Sequence, residues 1–228
     1  MSADAAPPRK LIIAIDGPSG AGKGTIARSL ASRLSYRHVD TGAMYRAIGW
    51  KALREGIQLD DEAAVAALSE RAVLDVEDDR VAIDGDEVGH AIRTPEMDRA
   101  AAIVARHPAV RRTLVSRQRA VGAPGGVVME GRDIGTVVFP DADVKIYLDA
   151  SPEERARRRA NDPAHRAPAG RVLSDVATAL AERDKSDSTR AVSPLAVAAD
   201  AVQIDTTGLS VEAVVDRVMA AVESVKRP

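Results

Sequence analysis

Apolar residues cluster in short runs along the chain, at Leu11–Ile15, Val127–Met129, Val144–Leu148 and Val202–Ile204, with a weaker one at Tyr36–Val39; Lys145 and Gln203 interrupt two of them. Runs so largely apolar fit strands buried on both faces, as in a parallel sheet. Between them, apolar residues recur at helical spacing over 23–34, 43–55, 62–71, 96–106, 109–121, 152–160, 172–184 and 210–225. Ser151 and Glu154 stand at capping-box spacing at the head of the sixth of these. Strand and helix in alternation predict an α/β fold, a doubly wound parallel sheet with helices on both faces.

Two stretches break the alternation. Over 72–92, "AVLDVEDDRVAIDGDEVGHAI" has short β-like pieces separated by Asp/Gly turns, the pattern of a small antiparallel sheet inserted into the core. At 161–171, "NDPAHRAPAGR" is polar, proline-rich and flanked by arginines. It reads as a lid or as an ordinary surface loop. The first nine residues read as a disordered tail, which leaves 10–228 as a single domain.

Composition narrows the function. At 228 residues and 45% hydrophobic, the chain can bury one large core. It has no cysteine, which excludes disulfides and thiolate-held metals. The residues before Lys10 contain no apolar signal-like run, and no stretch reaches the roughly 20 apolar residues of a membrane helix, so the expected location is the cytoplasm, with no membrane partner. A net charge of −2 and 2% aromatic residues argue against a nucleic-acid partner, which would need a basic face or stacking platforms. Arginine outnumbers lysine 26 to 6, a surplus that a bias of the source organism explains as well as function does. Each arginine must therefore be argued by its position.

The run "IDGPSGAGKGT" at 15–25 follows the first strand and precedes the first helix. Gly17, Gly22 and Lys23 satisfy G-x-x-x-x-G-K, the phosphate-binding loop, in the strand–loop–helix context that the motif requires. Glycines let backbone N–H groups converge on phosphate oxygens, and the helix start adds free N–H groups and a positive dipole end. Gly17, Pro18, Ser19, Gly20, Ala21, Gly22, Lys23, Gly24 and Thr25 are thus the candidate ATP-binding residues, with Lys23 on the terminal phosphates. The glycine order is not that of the dinucleotide fingerprint, which disfavours NAD. Lys23 is followed by Gly24, so the hydroxyl comes one place late, at Thr25. GKGT in this form resembles the nucleoside monophosphate kinases more than GTPases or transport ATPases. A GTP switch would need Asn-Lys-x-Asp, and the only asparagine, Asn161, precedes Asp162.

Further segments define the acceptor. "DTGAMYRA" at 40–47, "IRTPE" at 92–96, "EGRDIGTVVFPDADVKIYLDAS" at 130–151 and "ERDKSDSTRAVSPL" at 182–195 follow the loop in an order and spacing that, over roughly 10–225, resemble the bacterial cytidylate kinases. The resemblance implies a three-layer P-loop fold: a core of about 10–60 and 107–225, a monophosphate-binding insertion of about 61–106 and a short lid of about 155–171. The implied reaction moves the γ-phosphoryl group of ATP to CMP or dCMP, with ATP and CMP as partners, Mg²⁺ as cofactor and a monomeric chain. Its acceptor is a phosphate oxygen, already largely ionised near neutrality, so no general base is needed.

By the same resemblance, Arg46 and Arg132 clamp the CMP phosphate beside Thr41, Arg183 and Asp187 face its phosphate and ribose, and Arg111, Asp133 and Arg190 read the base. Lys23, Arg132 and Arg183 are the implied catalytic residues. Asp133 can accept from the exocyclic amine that distinguishes cytosine from uracil. Each arginine taken alone could equally be a surface ion pair. Of Arg155, Arg157, Arg158 and Arg159, one or two are expected over ATP, Arg158 first, because neighbours on a helix point about 100° apart. No direct protein ligand to the metal is expected. Thr25 and Asp16 are candidates to reach it through water, as is Glu130, and for Asp16 and Glu130 capping or hydrogen bonding to the phosphate loop is the alternative. One position departs from the family pattern: nine residues before Arg111, where a hydroxyl is expected beside the base, stands Ala102.

Overall fold

A computed structural model describes residues 10–77, 80–162 and 172–226. The expected tail, 1–9, and most of the expected lid, 163–171, lie outside the described residues. The apolar runs form β1 (Ile12–Asp16), β6 (Val127–Glu130), β7 (Val144–Asp149) and β8 (Val202–Asp205), and the weaker one forms β2 (Arg37–Asp40). All five make one sheet in the order β2-β6-β1-β7-β8, every pairing parallel. On β1, the middle strand, Ile13 and Ile15 are fully buried on one face and Ala14 on the other, which is why apolar residues do not alternate with polar ones there.

Helices α1 (Lys23–Leu34) and α8 (Val211–Lys226) cover one face of the sheet, packing Ile26, Leu30, Val214 and Val218 on Ile13, Ile15 and Ile146. On the other face, α5 (Pro108–Gly122) brings Val115 onto Ala14, Val127 and Met129. A second core joins α2 (Thr41–Arg54), α3 (Glu62–Arg71) and α4 (Pro95–Val104) to the three-stranded antiparallel sheet of β3 (Leu74–Glu77), β4 (Arg80–Ile83) and β5 (Asp86–Glu87). The antiparallel sheet expected over 72–92 is therefore present. Helices α6 (Pro152–Ala160) and α7 (Leu173–Thr189) pack on each other through Ala156, Val176 and Leu180.

Three local features differ from the expectations. Helix α2 starts at Thr41, with no loop after β2, because Asp40 serves as its N-cap and accepts from the Ala43 N–H at 3.0 Å. A turn of π-helix occupies Ile134–Val138, where no helical period is readable. The capping box of α6 is only half made: Ser151 accepts from the Glu154 N–H, but the Glu154 carboxylate is taken by Arg157 and Arg158. Two charge-assisted bonds outweigh one to a backbone N–H.

The end of β1 is pressed against the end of β7. A Cβ on Gly17 would lie 2.0 Å from the Leu148 carbonyl oxygen, and its φ of +147° also disfavours a side chain. Backbone on both sides cannot yield. Gly17→Ala is expected to cost about 3 kcal/mol or more in urea unfolding; a loss under about 1 kcal/mol would contradict this packing.

Candidate active site

The carboxyl ends of neighbouring parallel strands in such a sheet open into a crevice that binds ligands. Here β1 and β6 end side by side, and β1 continues into the phosphate loop while β6 continues into Gly131–Asp133. Helix α1, which follows the loop, has Gly22 as N-cap, no side-chain cap and no acidic residue in its first turn. Its first N–H groups are left for an anion. Lys23 is 7% exposed and donates to the Pro18 carbonyl at 2.8 Å. Gly24 stands where the general motif has a hydroxyl because Glu130 lies there: a Cβ would come 2.9 Å from Glu130 Oε1, which also contacts His38 Nε2 at 3.2 Å.

Across the crevice, Arg132 donates through Nε to Asp187 at 2.8 Å and through Nη1 to the Gly17 carbonyl at 3.0 Å. Asp133 lies between two arginines, accepting from Arg111 and, at 3.3 Å, from Arg190. Arg111, Asp133 and Arg190 are all under 9% exposed in their side chains. The Tyr45 ring lies under the Arg111 guanidinium, 5.6 Å away. Burial opposes ionisation of Asp187, but Arg132 and Arg183 prevail and hold its carboxyl below the usual range.

The turn carrying these residues is fastened by Asp16. Its Oδ1 accepts from the Ile134 N–H at 2.8 Å and its Oδ2 from the Gly135 N–H at 2.7 Å. Burial nevertheless pushes the carboxyl up to about 6. Asp16 is not among the residues lining the crevice, and its hydrogen bonds go to the π-turn, not to the phosphate loop. Thr25 and Glu130 do face the crevice.

The arginines of α6 diverge as their spacing requires. Arg155 donates to the Ser19 carbonyl and to Asp184, which in turn accepts from the Ser19 N–H. Arg158 reaches Thr206 and, at 3.4 Å, the Ala21 carbonyl. Arg157 points outward to Glu154, and Arg159 turns the other way, to Asp98 on α4. Asp98 also accepts from Arg183 at 2.8 Å. Asp40, besides capping α2, accepts from Arg46 at 2.7 Å.

One cleft of about 550 Å³ joins these groups. Of the expected residues it is lined by Ser19 to Thr25, Thr41, Arg46, Arg111, Arg132, Asp133, Arg158, Arg183, Asp187 and Arg190. Gly17 and Pro18 do not line it and act through their carbonyls on Arg132 and Lys23. Ala102 lines it too, near Ala101 and Ala105. Sequence reasoning missed Asp40, Asp98 and Asp184. Asp184 stood within a quoted motif, whereas nothing in the spacing ties Asp98 to arginines on distant helices.

Burial, and then the charge of Arg132, pushes the Lys23 ammonium down from its ordinary 10.5 to about 7. The folded chain without nucleotide thus binds fewer protons than the unfolded one between these values, and its stability rises with pH across that window. Relative to Lys23→Met, the unaltered chain is expected to gain on the order of 2 kcal/mol between about pH 7 and about pH 9.5 in urea unfolding. A difference independent of pH would contradict a buried cation.

Comparison with known proteins agrees with this geometry. A solved structure of an uncharacterized protein from Eubacterium ventriosum superposes with a TM-score of 0.51 over 94% of this chain and 99% of its own, at 11% identity, a likeness of fold alone. Relatives called cytidylate kinase are far closer in sequence: that of Pelotomaculum thermopropionicum is 48% identical over 94% of this chain and 97% of its own, and that of Desulfitobacterium hafniense 51% over 93% and 92%. The sequence profile described as Cytidylate kinase spans residues 13–224, and the chain belongs to that family.

Proposed function

We propose that this chain transfers the γ-phosphoryl group of ATP to CMP and dCMP, giving ADP and the diphosphates, as a step of pyrimidine nucleotide metabolism. The observation that carries the reading is one cleft shared by an uncapped helix start with its lysine and an arginine–carboxylate set. The first suits a triphosphate. The second suits a phosphate joined to a base bearing an amine.

In this reading the core (10–60 and 107–225) binds ATP and the insertion (61–106) covers CMP, with the start of the expected lid (155–171), on α6, beside ATP. The loop from Gly17 to Thr25 would cradle the ATP phosphates, with Lys23 leaving Pro18 to meet them; a polyphosphate nearby restores its positive charge. Arg158 would add a charge from α6. Arg46, Arg132 and Arg183 would surround the transferring group and the acceptor phosphate near Thr41, where fixed positive charge stabilises the transition state. Asp187 would hold Arg132 and face the ribose. Asp133, steadied by Arg111 and Arg190, would accept from the cytosine amine.

Mg²⁺ fits this site as a cation carried in by ATP. It needs only one or two protein oxygens, and the Thr25 hydroxyl and Glu130 carboxylate line the cleft with Lys23. Among the described residues, no group of three or more His, Asp or Glu is placed to hold a metal. Bound with ATP, the ion would neutralise charge on the phosphate oxygens. The proposed enzyme is a cytoplasmic monomer; among the described residues, no helix is long and apolar enough to cross a membrane.

A coupled assay of ADP formation with CMP, dCMP, UMP, AMP and shikimate tests the assignment. CMP or dCMP is expected to be fastest, with a requirement for Mg²⁺, and a preference for UMP or AMP above about tenfold would refute it. Lys23→Ala should lower kcat by about 10²-fold or more with little change in CMP affinity; an unchanged kcat would remove Lys23 from the chemistry. For the base, Asp133→Asn keeps the shape between the two arginines while adding a donor that suits uracil. The CMP-over-UMP ratio in kcat/KM should fall by about tenfold or more, whereas Arg132→Ala weakens both substrates alike. Equal losses on both substrates in both variants would contradict this division.

A further inference from the structure

Asp98 lies in the first two turns of α4, yet its carboxylate meets arginines from three other helices. Oδ1 accepts from Arg183 Nη1 of α7 at 2.8 Å, Oδ2 accepts from Arg159 of α6, and Arg46 Nη1 of α2 lies 3.9 Å from Oδ1. All three arginines line the cleft. Arg46 Nε and Arg183 Nε are buried and make no hydrogen bond of their own. Burial holds the Arg159 guanidinium below its ordinary value, and the nearby charges of Arg183 and Arg46 oppose the pull of Asp98. Two of these mutually repelling cations donate to the one carboxylate, and the third, Arg46, which donates to Asp40 at 2.7 Å, stands beside it.

This gathering is not part of the helix's packing. Helix α4 buries Met97, Ala100, Ala101 and Val104, a stripe at helical spacing that omits Asp98. The carboxylate instead ties α4 to α6 and α7 through hydrogen-bonded ion pairs. It does so on arginines that a phosphate entering the cleft would need.

We infer that Asp98 is an internal stand-in for the substrate phosphate: in the nucleotide-free chain it occupies Arg159 and Arg183 and sets its charge beside Arg46, and it lowers the affinity of the cleft for phosphate groups. The inference rests on the proposed kinase function for its biological sense, though not for its physical test. A phosphate dianion brings more charge and more acceptor oxygens than a carboxylate, so it can displace or share the arginines, but it does so against a fixed negative charge. The same charge aids departure. When a product leaves, the arginines return to Asp98 rather than to an unpaired state, which favours turnover where release limits the rate.

Calorimetric titration of the full chain, Asp98→Asn and Asp98→Ala with inorganic phosphate, CMP and cytidine separates the possibilities. Both variants are expected to bind phosphate and CMP about tenfold more tightly with cytidine unchanged, and KM for CMP should fall without a rise in kcat. Equal or weaker phosphate binding in the variants would overturn the inference, since Asp98 would then be supporting the arginines rather than competing for them. If the unaltered chain does not phosphorylate CMP, the kinase reading fails, while the phosphate titration still decides the role of Asp98. If both variants fail to fold by thermal melting, the contact is structural and the inference falls.

Discussion

The site depends on the pair of hydrogen bonds that Asp16 accepts from Ile134 and Gly135. Asp16 ends the central strand where the phosphate loop begins, and the π-turn it grips follows directly on Arg132 and Asp133. A carboxylate with both oxygens engaged by N–H groups sets the distance between the loop and the arginines opposite. Burial raises its pKa to about 6, and the two backbone donors work against that rise. Ionised near neutrality, it is an acceptor only, as two facing N–H groups require. Gly17 adds the second constraint, because its carbonyl receives Arg132 while its missing Cβ admits the end of β7.

Around this fixed point the cleft is built from arginines that are already paired. Arg111 and Arg190 lean on Asp133, Arg132 on Asp187 and Arg46 on Asp40. Buried pairs of this kind contribute little net stability, because desolvation of both charges offsets their attraction, yet breaking one is costly. Their effect here is positional. Each guanidinium is held with donors to spare, so a phosphate meets oriented charge and not free side chains that must first be ordered.

Much of this was readable before any coordinates. Apolar runs marked the parallel strands, although β8 at the sheet edge leaves Val202 and Gln203 exposed, helical spacing marked the covering helices, and Asp/Gly turns marked the small antiparallel sheet. The phosphate loop declared itself by glycines placed between strand and helix, and the arginine motifs converge on one cleft. What escaped was set by contacts between distant residues. No local period announces the π-turn at Ile134–Val138, which is held by Asp16 from 118 residues away. The second half of the α6 capping box was lost to competition from Arg157 and Arg158. Asp98, which meets both α6 and α7, lies just past the 92–96 segment, and nothing in the local sequence signals its partners. Gly24 is legible as a departure from the general motif, but its cause, Glu130 on a neighbouring strand, is not.

The central claim, that one carboxylate holds both halves of the cleft together, is tested most directly by Asp16→Asn. Asparagine keeps the size but turns one acceptor into a donor facing a backbone N–H, a mismatch that costs about 1–3 kcal/mol. Calorimetric titration of this variant with an ATP analogue and, separately, with CMP is the measurement. The account predicts that both affinities fall together, by about tenfold each, in a chain that remains folded. Parent-like affinity for both ligands, or a loss confined to one of them, would contradict it.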